Sequence, residues 1–546
     1  MFGRGLLRRL VVLVVLTLVT AVVVPGVMGP SASADGCSLN VNVGDVSSLI
    51  EAVDCYNDQS PAGDYTITLT SDIEIGFDDD VEIDSDTDSG DLTIDGSGYK
   101  IFGDGYGEDY QLFIDNPGTG IVYIKDITFE GAGDDAIEFP QGWLEVSDST
   151  FTDNDYGIYG DPDCDLAQTS TLRVTDSSFT GTETNAIEFY SAFDIEIKNS
   201  FFDGVDADES TIYLENECEN AYGESRFVIS DSNVMTSSNS YGIDAYGAVD
   251  IEVNNSLFSS NEEGLSLDND ESELAVVTVS DSTFIGNESS FGVKLIGNVD
   301  ALISNSTFTL HDVGIYFDID TLKNGGAGVV VSNSTVVNNG EGFYVYSPIS
   351  VRSSILAENE DDCFEAALTS VCSDEGNNFR SGETSPPEFT LLSEGSLGEL
   401  ADNGCVIQTP NGCVPTIELL AGSNAIGAGS CTDLLTDQRG FLRSGSCDAG
   451  AYQRNGIAPT SEAGSAAPVP YPGPFTQMPE LAGAPYGWGT SPVPAASPET
   501  PTAAAAAGDG VAGLAYTGTT TTTLAYLAVG LIGFGALLVP ASRRHN

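Results

Sequence analysis

From residue 122 onward, the chain repeats one short pattern of apolar and polar positions. Two apolar residues alternate with polar ones, followed by Asp or Asn, Ser, any residue, an aromatic residue or Val, and a Gly-Ile-like step, as in 144–151 and 277–284. Aligned on the aromatic position, the repeats form one column: Phe129, Phe151, Phe179, Phe202, Val234, Phe258, Phe284, Phe308 and Val336. This recurrence predicts a solenoid of short elements joined by polar turns.

The two-residue alternation decides which kind of solenoid forms. Helical repeats need amphipathic stretches with a period of 3.6 residues, whereas these segments alternate with a period of two and are rich in β-branched residues. We therefore predict stacked β-coils in which like residues lie over like. The Phe column becomes an internal aromatic ladder, and the Asp/Asn-Ser turns form a second ladder.

The repeats resemble those of right-handed parallel β-helix proteins of the pectate-lyase-like superfamily, as at Asn305-Ser306-Thr307-Phe308. The resemblance covers about 65–356. It implies an all-β fold, a right-handed parallel β-helix of about ten coils, which we place at residues 64–356. Such a motif is specific for the fold and implies no particular activity.

A short N-terminal cap is expected at residues 35–63. Val46, Leu49, Ile50 and Val53 recur there at helical spacing. This spacing predicts a short amphipathic helix that covers the first coil and protects its open strand edges.

Residues 357–453 are expected to form a C-terminal cap module. The segments 436–440 and 447–452, with Arg443 between them, resemble the C-terminal module of the choice-of-anchor Q family of exported β-helix proteins. The resemblance implies surface display and no assigned reaction. Arg439 and Arg443 stand among acidic residues, so we expect them to form ion pairs that close the bottom of the β-helix.

The first 34 residues have the pattern of a secretory signal peptide. Basic residues precede an apolar run at 10–24, and Ala32-Ser33-Ala34 offers a cleavage site after Ala34. The mature chain is then exported; an uncleaved membrane anchor is the alternative. Residues 454–513 are rich in Pro, Ala and Gly, which predicts a disordered linker long enough to cross a cell wall.

Residues 514–546 resemble a Gram-positive cell-wall sorting signal. A pentapeptide precedes an apolar segment at 524–539, which predicts a transmembrane helix, and a basic tail follows. The pentapeptide consists of Leu514, Ala515, Tyr516, Thr517 and Gly518. The resemblance to the LAxTG variant implies a class E-like sortase and cell-wall peptidoglycan as partners. A plain C-terminal membrane anchor is the alternative.

Composition then limits the partners. The 546 residues include 17 Lys and Arg against 83 Asp and Glu, a formal net charge of -66, which repels phosphate backbones and excludes nucleic acid. The ten cysteines of this exported chain predict five disulfides between sequence-close pairs, although sequence alone does not fix connectivity. The pairs are Cys37/Cys55, Cys164/Cys218, Cys363/Cys372, Cys405/Cys413 and Cys431/Cys447.

The sequence predicts no catalytic residues. Basic side chains are scattered along the coils without a cluster, and we interpret His311 as a surface turn residue. Asp134 and Asp135 resemble the paired-aspartate step of polygalacturonases, but the histidine and Arg-x-Lys elements of that family are absent, so turn chemistry is the favoured interpretation. A polysaccharide-active lyase or hydrolase is the alternative function.

No cofactor is expected, with one calcium hypothesis left open. Asp84, Asp86 and Asp88 alternate like the ligands of a calcium loop. Their glycine stands one place late for an EF-hand, and no glutamate closes the loop. A solvated acidic turn is the alternative.

One outward column offers a binding surface. The residue after each inward apolar residue of the Gly-Ile-like step points outward. This column is Glu138, Tyr159, Glu188, Tyr213, Asp244, Ser266, Lys294, Tyr316 and Tyr344. Its tyrosines are able to stack against a neutral glycan, and ordinary solvent-facing sheet tyrosines are the alternative. The leading hypothesis is therefore a cell-wall-anchored surface protein that acts in adhesion or glycan binding.

Overall fold

The protein is a parallel β-helix of about twelve turns. The computed structural model describes residues 37–459 except 60–61, 77–78, 85–89, 104–109, 163–168, 205–209, 217–224, 237–239, 288, 320–327, 367–371, 383–385 and 433. Each coil passes through three parallel sheets in a fixed order, sheet 1, sheet 2 and sheet 3, before the chain returns to sheet 1 one layer further along. The two-residue alternation therefore produces β-coils, as predicted.

The strands are short and follow the repeat of the sequence. Sheet 1 contains Asn40–Val43, Tyr65–Leu69, Leu92–Asp95, Val122–Lys125, Trp143–Ser147, Ser170–Thr175, Phe193–Lys198, Ser225–Ser230, Val249–Asn254, Ala275–Ser280, Val299–Ser304, Val329–Ser332, Ile349–Arg352 and Cys372–Asp374. Sheet 2 contains Ile73–Glu74, Lys100–Phe102, Thr128–Glu130, Thr150–Thr152, Ser178–Thr180, Phe201–Asp203, Asn233–Met235, Leu257–Ser259, Thr283–Ile285, Thr307–Thr309, Thr335–Val337, Ile355–Ala357, Phe379–Arg380 and Thr390–Leu391. Sheet 3 contains Glu82–Asp84, Leu112–Asp115, Asp135–Gln141, Tyr156–Gly160, Ile187–Tyr190, Ser210–Glu215, Tyr241–Tyr246, Glu263–Asn269, Phe291–Gly297, Val313–Ile319, Glu341–Val345 and Asp361–Glu365.

The predicted Phe column forms a ladder inside the β-helix. All nine of its positions pair in register on neighbouring strands of sheet 2. The rings of Phe151 and Phe179 are stacked with centroids 4.4 Å apart, and those of Phe179 and Phe202 are 4.9 Å apart. These side chains are fully buried. The internal aromatic ladder is confirmed.

The Asp/Asn-Ser turns form the second predicted ladder. Their Asp or Asn adopts a positive φ, for example 51° at Asp176 and 48° at Asn199, which these two residue types tolerate better than other L-residues. The next serine accepts a hydrogen bond from the serine amide of the preceding coil, as from Ser177 N to Ser200 Oγ at 3.3 Å. Buried backbone amides at each corner are thus satisfied from coil to coil.

The coils continue past the predicted end at residue 356. Strands of sheets 1 and 2 extend the stack to Thr390–Leu391. The coil after residue 356 lacks the Ser of the repeat, because Asn378 takes its place. Asn378 Oδ1 accepts a hydrogen bond from Ser354 N at 3.0 Å. A substitution that preserves the hydrogen bond therefore hid these coils from the sequence pattern.

A helix, Val46–Asn57, forms in the predicted N-terminal cap, and Leu49 and Val53 are buried, as expected. Asp45 and Ser48 form a capping box at its start. A two-stranded antiparallel sheet, Leu397–Ala401 with Thr416–Leu419, lies in the C-terminal module. Among the described residues, no helix is long and apolar enough to cross a membrane.

The C-terminal module packs against the side of the β-helix, so the expected closure of its bottom by arginine ion pairs is wrong. Gln438 Nε2 donates to Ser282 O at 2.9 Å, and Thr307 Oγ1 donates to Gln438 Oε1 at 2.6 Å. Arg443 Nη2 donates to Asn305 Oδ1 at 2.8 Å. Thr307 of sheet 2, together with Ser282 and Asn305 in the turns that lead into that sheet, supplies these hydrogen bonds, and this lateral contact covers part of sheet 2.

Within the module, the arginines hold the fold together. Arg439 forms an ion pair with Asp437 at 2.6 Å, and its guanidinium lies 3.8 Å from the ring centroid of Tyr452. Arg443 is buried among backbone carbonyls, and burial lowers its pKa to about 10. Charge, stacking and hydrogen bonds together account for two buried arginines in so acidic a chain.

His311 is buried, so its interpretation as a surface turn residue is wrong. It occupies the corner position that Asn261 and Asn339 hold in other coils, and His311 N donates to Asn339 Oδ1 at 3.0 Å. The ring Nδ1 lies 2.9 Å from Ser290 Oγ. Burial lowers the His311 pKa to about 3, which keeps the imidazole neutral.

Four of the five predicted disulfides are confirmed: Cys37–Cys55, Cys363–Cys372, Cys405–Cys413 and Cys431–Cys447. Cys164 and Cys218 lie outside the described residues. So do the predicted signal peptide, almost all of the linker, the sorting pentapeptide and the apolar segment 524–539.

Candidate functional site: the tyrosine face

The outer side of sheet 3 carries the predicted column of outward residues. Glu138, Tyr159, Glu188 and Tyr213 pair in register from coil to coil, and the register continues through the rest of the column to Tyr344 and then Phe364. The order of these residues along the stack is therefore confirmed, and they alternate along their strands with fully buried core residues such as Ile158, Ile187 and Ile212. We call this outer side of sheet 3, from Tyr156 to Phe364, the tyrosine face.

A second outward column runs beside the first and alternates with it. Tyr190, Glu215 and Tyr246 pair in register two residues further along their strands. Consecutive strands therefore present Glu188 with Tyr190, then Tyr213 with Glu215, and then Asp244 with Tyr246. We call these six residues the checkerboard. On each of the three strands, the tyrosine hydroxyl forms a hydrogen bond with the carboxyl group of the same strand. The distance from Tyr213 Oη to Glu215 Oε2 is 2.7 Å.

The aromatic rings form two platforms on the tyrosine face. In the first, ring centroids follow one another at 5.7 to 6.1 Å through Tyr156, Tyr159, Tyr190, Tyr213 and Tyr246. The second platform consists of Phe291, Tyr316, Tyr344, Tyr346 and Phe364, with centroids 4.9 to 6.0 Å apart. Both platforms follow the axis of the β-helix, and together they span nine strands of sheet 3, roughly 38 Å at 4.8 Å per coil.

An acidic centre separates the two platforms. Lys294 Nζ binds Glu263 Oε1 at 2.8 Å, and the Glu263 side chain is 6% exposed. Asp244 accepts hydrogen bonds from Tyr246 and Ser266 and is also buried. We call Asp244, Glu263, Ser266 and Lys294 the acidic centre. It brings two carboxyl groups and one ammonium group together between the aromatic platforms.

The two carboxyl groups of the acidic centre differ in their environment. Burial, and then the negative charge of Glu263, raise the pKa of Asp244 to about 7, and Lys294 opposes this shift. Glu263 has the lysine as a direct ion-pair partner. At neutral pH, Asp244 therefore holds a proton in a substantial fraction of molecules, which allows it to donate a proton as well as to accept hydrogen bonds.

Carboxylates also surround the tyrosines of the first platform. Burial raises the pKa of Tyr159, Tyr190 and Tyr213, and the nearby acidic side chains raise it further. The phenols thus stay protonated and keep their hydroxyl donors. For Tyr316 in the second platform, burial, and then Asp318 and the neighbouring phenols, raise the pKa to about 12.

Charge is distributed unequally among the three sheets. The described strands of sheet 3 contain one lysine, Lys294, together with Glu82, Asp84, Asp115, Asp135, Glu138, Glu188, Glu215, Asp244, Glu263, Asp268, Asp318, Glu341, Asp361, Asp362 and Glu365. Those of sheet 1 contain Lys125, Arg173, Lys198, Arg226 and Arg352 together with Asp95, Glu145, Asp194, Glu196, Asp250, Glu252, Asp300 and Asp374.

Ion pairs on sheet 1 cross from coil to coil. Arg173 binds Asp194 at 2.6 Å, Lys125 binds Asp95 at 2.9 Å, and Arg226 lies 3.3 Å from Asp194. Five basic residues therefore offset part of the negative charge of the described strands of sheet 1, whereas the described strands of sheet 3 contain a single lysine.

The residues considered for catalysis and for calcium binding lie in separate places. Asp135 begins a sheet 3 strand in register with Tyr156, at the first-platform end of the tyrosine face, and Asp134 precedes it. Asp84 lines a small pocket with Asp80 and Glu82 beside the N-terminal helix. Within the described part of the chain, no group of three or more His, Cys, Asp or Glu side chains is arranged to hold a metal ion. Asp86 and Asp88 lie outside that part, so the calcium hypothesis stays a prediction.

Sequence reasoning missed Glu263 and three of the five tyrosines of the first platform, Tyr156, Tyr190 and Tyr246. Glu263 stands three positions before the predicted column, in register with Tyr241 and Phe291. Tyr190 and Tyr246 stand two positions after that column. Extending the alignment by two positions would have found Tyr190 and Tyr246, because outward positions of a strand recur every second residue. Glu263 lies at an odd offset from the column, which this period does not indicate.

Three comparisons place the chain among known proteins by sequence and by structure. Residues 135–308 and 210–380 match the family described as right handed beta helix region. A crystal structure of pectate lyase Pel9A is similar at 14% identity and a TM-score of 0.32, covering 77% of this chain and 97% of that one. The catalytic domain of an alpha-1,3-glucanase in complex with nigerose is similar at 12% identity and a TM-score of 0.35, covering 65% of this chain and 70% of that one. No curated protein matches the chain. A right-handed β-helix by itself implies no particular activity.

Proposed function

We propose that the chain is a cell-surface protein that binds a polysaccharide along its tyrosine face. The observation that carries this proposal is the alignment of two aromatic platforms along the β-helix axis. Pyranose rings stack on tyrosine rings, and the protonated phenols and nearby carboxylates hydrogen-bond sugar hydroxyls. An extended polymer suits a surface in which equivalent contacts recur at each coil. When the polysaccharide belongs to another cell or surface, this binding produces adhesion.

The proposed location rests on both ends of the chain. Export through the signal peptide at 1–34 leads to attachment by a class E-like sortase, with cleavage between Thr517 and Gly518 and transfer of the Thr517 carbonyl to a peptidoglycan amine. The apolar segment 524–539 holds the precursor in the membrane until then. The linker would display the β-helix away from the membrane.

Binding can be tested with immobilised polysaccharides and the full-length chain. We expect Tyr213→Ala and Tyr316→Ala each to weaken retention about tenfold, since loss of one stacking partner removes roughly 1 kcal/mol or more. Tyr123→Ala is the matched control, because Tyr123 lies on a strand of sheet 1. Equal effects of all three substitutions, or no retention of the unaltered protein by any polysaccharide, would contradict binding at the tyrosine face.

A second candidate function, glycoside hydrolysis, is favoured by the acidic centre. Asp244 would protonate the leaving glycosidic oxygen, and ionised Glu263 would activate the attacking water, so that water adds across the broken bond. Asp244→Asn should then abolish the release of reducing ends while polysaccharide retention persists. Release that continues in this variant would reject the assignment.

A further inference from the structure

The three sides of the β-helix differ in what they can offer a charged ligand. Sheet 1 balances much of its negative charge with ion pairs such as Arg173–Asp194. Sheet 2 is partly covered by the C-terminal module through contacts such as Thr307–Gln438. The described strands of sheet 3 contain one lysine, and Glu263 binds it. The tyrosine face therefore combines accessible rings with a concentrated negative potential.

The checkerboard sets this charge directly beside the rings. Glu188 is 7% exposed, so water screens its charge poorly, and Glu215 on the next strand is half-buried. Each lies on the same strand as a tyrosine of the first platform, and a carboxylate and a tyrosine alternate from coil to coil. A ligand that stacks on these rings must also place its substituents against the carboxylates.

We propose that the ligand of the tyrosine face is a polysaccharide of amino sugars that carry free ammonium groups. The inference rests on the glycan-binding function proposed above and narrows its ligand class. The sugar rings stack on the tyrosines, and the ammonium groups pair with the checkerboard carboxylates, including Glu188 and Glu215. An ammonium group near a tyrosine ring also gains a cation–π contact.

Charge complementarity selects this class over other ligands. A uronate polymer would bring more negative charge to sheet 3 and be repelled. A neutral polymer would stack on the rings but gain nothing from the carboxylate charges. A basic peptide would pair with the charges but lacks the pyranose rings that stack on the platforms.

The test compares two probes of equal length on the full-length chain: a hexamer of β-1,4-linked glucosamine and its fully N-acetylated counterpart. Isothermal titration at about pH 5.5 keeps the free amines charged. We expect the glucosamine hexamer to bind at least about tenfold more tightly at low salt, and raised sodium chloride to remove most of that preference. Polylysine of matched charge is the third probe.

Two double variants distinguish the effect of charges on the tyrosine face from the effect of the overall negative charge. Glu188→Gln with Glu215→Gln removes two checkerboard charges, and Glu145→Gln with Glu252→Gln removes two from sheet 1. We expect the first pair to weaken glucosamine binding about tenfold, with the control pair near the unaltered protein. Circular dichroism melts should show that both double variants are folded.

Each alternative result has a distinct meaning. Equal affinity for the two hexamers, with loss in Tyr213→Ala, would overturn the amino-sugar inference and leave the proposed glycan binding intact. Binding of neither hexamer, together with failure of the polysaccharide retention test, would overturn both proposals. Polylysine binding as tight as glucosamine binding and unchanged by Tyr213→Ala would show unspecific charge attraction and also overturn the inference.

Discussion

The burial of His311 leads to a prediction about stability and pH. Its pKa is about 3 in the folded protein, against a usual value of 6.5, because burial penalises the imidazolium. The folded pKa is depressed, so below pH 6.5 the unfolded chain binds a proton that the folded chain does not bind. The contribution of neutral His311 to stability is therefore complete above about pH 6.5 and is lost as pH falls towards 3.

The size of this effect follows from the pKa difference. At pH 5, protonation favours the unfolded chain by about 2 kcal/mol, and at pH 3 this reaches about 4 kcal/mol. His311→Asn is the suitable change, because Asn339 occupies the equivalent corner of the next coil and does not titrate. The stability difference between the unaltered protein and this variant should therefore shift by about 2 kcal/mol from pH 8 to pH 5.

Two assays check this prediction. Denaturant unfolding at pH 8, 7, 6 and 5 gives the stability difference, in which the many carboxylates common to both proteins cancel. Histidine NMR gives the protonation directly, since the chain contains two histidines and His545 near the C-terminus serves as a reference. Two signals that both titrate near pH 6.5, or a stability difference independent of pH, would refute the reasoning.

Three further predictions follow from the core, the acidic centre and the C-terminal module. Phe179→Ala should destabilise the β-helix by about 3 to 5 kcal/mol by opening a cavity in the ladder, and a thermal melt unchanged from the unaltered protein would contradict this. The pKa of Asp244 is raised to about 7, so its ionisation lowers the stability of the folded protein as pH rises from about 4 to 7. Asp244→Asn removes this penalty and should stabilise the protein by a few kcal/mol more at pH 8 than at pH 4, as measured by denaturant unfolding. Gln438→Ala removes hydrogen bonds to Ser282 and Thr307 and should speed amide hydrogen exchange in the module far more than in the coils, whereas uniform exchange rates would argue against docking through this residue.

Local repetition explains why much of the fold could be predicted from the sequence. Asp176 and Asn199 are needed at positive φ in their own turns, and Phe179 and Phe202 face the same interior in successive coils. Each requirement is met within one coil and its neighbour, so it leaves a periodic trace. The coils beyond residue 356 lost that trace when Asn378 replaced the serine, although the hydrogen bond remained.

Contacts without a period could not be predicted in this way. Gln438 lies 131 residues from Thr307, and nothing in the alternation of either segment indicates which side of the β-helix the module covers. Predicting the ion pair of Glu263 and Lys294 would require both the register between two coils and the positions of their corners, which the sequence does not specify. His311 occupies a corner that Asn residues take in other coils, and the different residue type there hides the position from the sequence pattern.

The order of side chains in the checkerboard also explains how this part of sheet 3 accommodates its carboxyl groups. Adjacent coils lie about 4.8 Å apart, a distance at which two carboxylates directly over each other would repel strongly. In the checkerboard, Tyr213 separates Glu188 from Asp244, and Tyr246 follows Glu215, so that like charges in one column stand two coils apart. That distance, roughly 10 Å, is comparable with the Debye length at physiological ionic strength. The tyrosines therefore both form the binding platform and space the carboxylates, and replacing them with small residues would leave the charges in place while removing the rings that a sugar needs.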